Sequence, residues 1–173
     1  MTTGESIINQ IRESWEINNH INLMLIKAIP LKGFELVPLN SKGRTVREQF
    51  IHMHNVRYRW MEFNDASLVR LVPKLLKEDL PARQQLLSAF KKSGAATGNF
   101  IVANLQEGRK IKYFKGSSLR WMSYLISHES HHRGSILLAL KQNGMRMPDR
   151  ISMDGLWASW YRGENSGKAR GEK

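Results

Sequence analysis

Four long segments of this chain place apolar residues at the spacing of an α-helix, and the alternation that marks β-strands is scarce. A helix with one apolar stripe must bury that stripe against another element. With no sheet to receive them, the stripes must cover one another. The expected fold is all-α: a four-helix bundle with a crossover between its second and third helices and a short C-terminal helix.

The first segment runs from about Glu5 to Ile29, with capping-box spacing between Thr2 and Glu5 and a stop at Pro30. Ile7, Ile8, Ile11, Trp15, Leu25, Ile26 and Ile29 share one face, with Asn18 and Asn22 in its middle. Amides on an apolar stripe need partners, either in a core hydrogen bond or in a polar pocket. The second segment runs from Thr45 to about Phe63, opened by a Thr45/Glu48 capping box, with Val46, Phe50, Met53, Val56, Trp60 and Phe63 as its apolar arc. The third runs from about Pro81 to Gln106, with Asp79 as candidate N-cap and Gly94 and Gly98 in a small-residue middle. Each of those glycines costs about 1 kcal/mol against alanine in a helix, a cost that close approach of a neighbour or room for a ligand would offset. The fourth runs from about Ser117 to Gln142 and ends on Asn143-Gly144. A short helix over Ile151 to Tyr161 is expected to dock through Leu156, Trp157 and Trp160. The stretch from Asn64 to Leu80 is too long for a tight turn, so it reads as the crossover, with helical pieces around Ser67 to Leu76.

The 173 residues suit one domain, taken as 1–162, followed by a polar, Gly-rich basic tail, 163–173, expected to be disordered. The absence of cysteine excludes a disulfide framework, a protein thiolate metal site and a cysteine nucleophile. No apolar run reaches the roughly 18 residues of a membrane span, and the N-terminus lacks the pattern of a secretory signal. The expectation is a soluble cytoplasmic protein with no membrane partner. Lys and Arg number 27 against 15 Asp and Glu, a formal net charge of +12, which favours anionic partners. Arg109, Lys110, Lys112, Lys115 and Arg120 form a stretch without acid, the basis for an alternative reading as a nucleic-acid-binding module. No helix-turn-helix, zinc-finger or stacking motif accompanies it.

Three of six histidines stand in the fourth segment, in SHESHHRG. His128 and His132 are one turn apart, so their rings lie one above the other, a spacing that lets two imidazoles hold one metal ion. With His128 at the origin, His132 projects at about 40°, inside the apolar arc, and His131 at about 300°, on its outer flank. Two buried adjacent imidazoles cannot both be protonated cheaply, and a shared cation meets their need. The second segment offers His52 and His54, which flank its arc symmetrically, so periodicity does not choose between them. His20 projects away from the apolar face of the first segment.

The motifs TVREQFIHMHNVRYRW, HESHHRGSILLALKQNG and MPDRISMDGLWASW resemble the DinB family of metal-dependent enzymes, over roughly Ile7 to Trp160. The resemblance implies a divalent ion, zinc or nickel first, held by His52, His128 and His132, with His54 as the rival to His52. It also implies a bundle with a crossover, frequent homodimers, and members that transfer or isomerise low-molecular-weight thiols. The late element here reads HHRGS, with Ser135 where glutamine is common in the family.

Three imidazoles leave a coordination position open, which marks a catalytic rather than a structural site. A metal there lowers the pKa of bound water or thiol. The thiolate must come from substrate, since the chain has no cysteine. The expected function is a metal-dependent transferase or hydrolase acting on a small molecule. Glu129, Asn18, Asn22 and Arg133 are candidates for supporting roles, with an ion pair to Arg57 as the structural alternative for Glu129. A metal-stabilised bundle without catalysis is the remaining alternative.

Overall fold

The structure is a computed structural model and describes residues 3–162. Its helices are α1 (Thr3–Ala28), α2 (Val46–Asn64), α3 (Arg83–Gln106), α4 (Ser118–Gln142) and α5 (Leu156–Arg162), and there is no strand among the described residues. The Thr2 half of the first capping box and the 163–173 tail lie outside the described residues.

Local signals set most of the boundaries. Thr45 Oγ1 accepts from the Glu48 amide at 3.1 Å, while Glu48 Oε2 accepts from the Thr45 amide at 2.8 Å, so two orphan donors of α2 are satisfied reciprocally. Ser117 Oγ caps α4. At the other end of α4, Gly144 adopts φ +75°. Its amide bonds the Lys141 carbonyl and that of Met145 bonds Leu140, the paired closure of a Schellman turn. Helix α3 starts later than Pro81. Ala82 is its N-cap, and the Gln85 side chain accepts from the Ala82 amide at 2.6 Å.

The core has two apolar ends with a polar layer between them. Leu25, Ile26, Phe34, Phe50, Met53, Phe90, Ile136 and Leu140 fill one end. Trp15, Met61, Ile101, Trp121 and Leu125 fill the other. Between these sets along the helices lie buried polar residues: Asn18 and Asn22 on α1, Arg57 on α2, Ser93 and Thr97 on α3, Glu129 on α4. A layer that must meet at one level penalises any slip of one helix along another, a register role known for buried polar groups.

Helices α1 and α3 lie along each other, and their glycines explain how closely. A Cβ on Gly94 would collide with the Asn19 amide, and one on Gly98 would stand 2.9 Å from Trp15 Cδ1. The Gly94 carbonyl accepts from Trp15 Nε1 at 2.7 Å. Close approach is therefore what offsets the helical cost of both residues.

Four expectations change here. Ile7 is exposed rather than buried, because α3 ends at Gln106 level with Ile8 and leaves the first turn of α1 uncovered. On α2 the inner face turns to His54, Arg57 and Met61. Trp60 and Phe63 pack instead with Tyr113, Phe114 and Tyr124 toward the surface. Near the C-terminus, Leu156, Ala158 and Ser159 are buried, while Trp157 and Trp160 stay 56% and 38% exposed. A π-helical turn over Arg150–Gly155 precedes α5, and its wider turn shifts the helical phase away from a regular 3.6 spacing. In the crossover only Ala66–Val69 is helical; Val69, Val72 and Leu75 bury their side chains.

Candidate metal centre

Helix α2 supplies His52, and α4 supplies His128 and His132 from successive turns. The donor nitrogens of the three rings lie within 4.8 Å of one another. Among the described residues no other group of three or more His, Asp or Glu side chains converges in this way. His52 Nε2 and His128 Nε2 are 3.1 Å apart. At that separation either one ring donates to the other or both lone pairs face a shared cation. Two nitrogens each about 2.1 Å from a tetrahedral zinc ion stand about 3.4 Å apart, so the spacing fits an ion with little ring movement.

The electrostatics favour neutral rings. Burial lowers His52 to about 4, aided by the positive charge of Arg44 and by His128. Burial together with His128 and His52 lowers His132 to about 4 as well. His128 is lowered chiefly by burial. Neutral imidazole is the form that ligates a metal. His132 is also oriented: its Nδ1 stands 3.3 Å from Gln49 Oε1, and since an amide oxygen only accepts, Nδ1 carries the proton and the Nε2 lone pair is free. Tyr124 stacks on His128 with the planes 22° apart. His128 Nδ1 is buried without a hydrogen-bond partner among the described residues.

The rival is accounted for elsewhere. His54 is fully buried; its Nε2 donates to the Pro73 carbonyl at 2.7 Å and its Nδ1 faces Ser93 Oγ at 3.2 Å. It pins the crossover to the bundle, as does Asn55 Nδ2 on the Leu75 carbonyl. His131 is exposed, and His20 is not part of the cluster.

Glu129, Asn18, Asn22 and Arg133 form a separate network that makes no hydrogen bond to the three rings among the described residues. Glu129 meets Arg57 in a fully buried bidentate pair, Nε to Oε1 at 2.5 Å and Nη2 to Oε2 at 2.7 Å. Asn18 and Asn22 each donate to Glu129 Oε2, and their carbonyl oxygens each accept from Arg133 Nη1 at 2.9 Å. Burial alone would raise the Glu129 carboxyl, but Arg57, Arg133 and Asn18 outweigh it and hold it below the usual value. The guanidinium of Arg57 lies over both Trp15 and Phe90.

Next to His52 opens a cavity of about 290 Å³ whose lining includes Arg44, Asn55, Arg59 and Lys77. These residues and Gln49 were not singled out by the sequence. Only Gln49 left a readable sign, as an amide on the inward side of α2. Of the basic stretch, Arg109 pairs with Glu107, and Lys112 bonds the Phe63 carbonyl.

An all-α bundle with three neutral histidines converging between two of its helices defines a class of helical proteins equipped to bind a metal ion. The model of the DinB family matches residues 1–166, and the chain belongs to that family. No curated protein matches it. No described helix is long and apolar enough to cross a membrane.

Proposed function

We propose that this protein is a metal-dependent enzyme in which His52, His128 and His132 hold one divalent ion, zinc or nickel, and a low-molecular-weight thiol or water is activated to attack an electrophile. The observation that carries this reading is the convergence of three neutral imidazoles beside a cavity. When bound, the ion would supply Lewis acidity, lowering the pKa of a coordinated thiol or water to give a nucleophile at neutral pH. Gln49 fixes the His132 tautomer, and burial keeps the rings unprotonated. No protein cysteine competes for the ion. Arg44, Arg59 and Lys77 give the cavity a basic rim, of which, among the described residues, only Lys77 is matched by a carboxylate, that of Glu48 at 2.9 Å. That rim favours an acidic substrate. Elemental analysis of protein purified without a metal-affinity tag, followed by a screen of thiols and electrophiles on the metallated form, tests the reading. About one ion per chain, lost in His52→Ala, His128→Ala and His132→Ala, is the expected result. Stoichiometric metal that survives all three substitutions would overturn it.

A further inference from the structure

Arg133 follows His132 in sequence but points to the other side of α4, and its surroundings are incomplete. The residue is 7% exposed. Its Nη1 is saturated by the Asn18 and Asn22 carbonyls, whereas Nε and Nη2 have no hydrogen-bond partner among the described residues. The one acid of this layer, Glu129, is engaged by both nitrogens of the Arg57 fork and by two amides. Arg57, Glu129 and Arg133 together therefore carry one uncompensated positive charge. Neither free nitrogen is sealed from its surroundings, so the open edge of this cation faces the space beside it, where an anion would supply the missing charge.

The free side of Arg133 meets a cavity of about 460 Å³, mostly apolar, between α4 and the C-terminal helices. Leu137, Leu156, Trp157 and Trp160 line it. Gly134 lines it too, and it differs from the glycines of α3. Gly94 and Gly98 are required by contact with α1, but a Cβ on Gly134 would meet nothing within 4 Å. Packing gives no reason for a residue that costs about 1 kcal/mol in a helix. Its absent side chain keeps the cavity open directly beside the guanidinium.

We propose that this cavity is a second binding site, distinct from the histidine cluster, for a small monocarboxylate with an aromatic or aliphatic body. The carboxylate accepts from Arg133 Nε and Nη2 and neutralises the buried layer. The apolar body lies along Leu137 and Leu156, between the two tryptophans. The volume falls in the usual range for a small-molecule pocket, and a buried charge in an otherwise apolar cavity is the common arrangement for fixing orientation.

Titration calorimetry and tryptophan fluorescence on the full chain, with naphthalene-2-carboxylate as probe and naphthalene-2-carboxamide as its neutral counterpart, test the site. The carboxylate is expected to bind saturably, and the amide about tenfold or more weakly, because charge-assisted hydrogen bonds are about twice as strong as neutral ones. Gly134→Phe fills the open space and is expected to abolish binding with metal content unchanged, while Gly134→Ala retains it. His52→Ala is expected to bind the probe as wild type does, so failure here and failure of the metal reading are distinguishable. Arg133→Met is expected to lose the preference for the carboxylate; should that variant not fold, the Gly134 pair still decides. Absence of saturable binding, equal affinity for acid and amide, or wild-type binding by Gly134→Phe would each overturn the site. A native dimer that covers this face, excludes the probe and dissociates in Gly134→Phe would also overturn it.

Discussion

Glu129 and His132 stand less than one turn apart on α4, yet the protein treats them differently. Around Glu129 both carboxylate oxygens are engaged by the chain itself: two nitrogens of Arg57 and the amides of Asn18 and Asn22 converge on them, and the residue is fully buried. Around His132 the chain supplies one bond, in which Nδ1 donates to Gln49 Oε1, and leaves the other nitrogen facing two more imidazoles. The Glu129 carboxylate is satisfied without a ligand. The histidine cluster is arranged so that its donors are pointed at one another. Satisfied polar groups in a core specify structure, whereas convergent donors that the chain leaves unpaired mark chemistry.

The comparison is broken most forcefully at Glu129. Glu129→Ala leaves two guanidinium groups buried without an acid, and a loss of roughly 3–5 kcal/mol is expected in chemical denaturation. The same measurement on metal-free His128→Ala is expected to show far less, because that ring has His52 as its hydrogen-bond partner and is only half-buried. Equal losses would erase the distinction between the clusters.

Acid sharpens it next. Burial lowers His54 to about 4 in the folded chain, against about 6.5 for an unperturbed imidazole. Between these values the unfolded chain takes up a proton that the folded one refuses. The His54 contribution to the stability of the metal-free protein should therefore be full above about pH 6.5, fall as pH drops through the window, and level off below about 4. The full window is worth roughly 3 kcal/mol for this one group. His54→Gln, which keeps a donor for the Pro73 carbonyl, is expected to flatten that slope by about one proton in denaturation curves recorded against pH. An unchanged slope would mean that His54 does not resist protonation.

The smallest effect is expected at Gln49. Gln49→Met removes the acceptor that fixes the His132 tautomer, and a loss of about 10–100-fold in metal affinity should follow in competition titrations with a chelator. Affinity equal to wild type would show that the bond to Gln49 is incidental.

Much of the fold was readable because its signals are local. The Thr45/Glu48 box and the Asn143-Gly144 stop act within a few residues, and they fall where the pattern placed them. The four periodic segments are the four long helices. Phase was harder. Arg57 occupies a core position that no hydropathy pattern assigns to a charged residue, and its pairing with Glu129 spans 72 positions of sequence. The π-helical turn before α5 moved Trp157 and Trp160 outward, because a local change in residues per turn has no periodic sign. For the histidines, spacing brought His128 and His132 to one face, but His52 and His54 were symmetric about the arc of α2. The family resemblance singled out His52; in the structure Ser93 and Pro73, residues of other elements, occupy both nitrogens of His54.

X-ray absorption spectroscopy of the metallated full-length protein examines the proposed centre most directly. A shell of three imidazole nitrogens with one further light ligand that an added thiol replaces by sulfur is the predicted spectrum. A shell with fewer than three imidazoles, or one made wholly of protein ligands and unaltered by thiol, would contradict it.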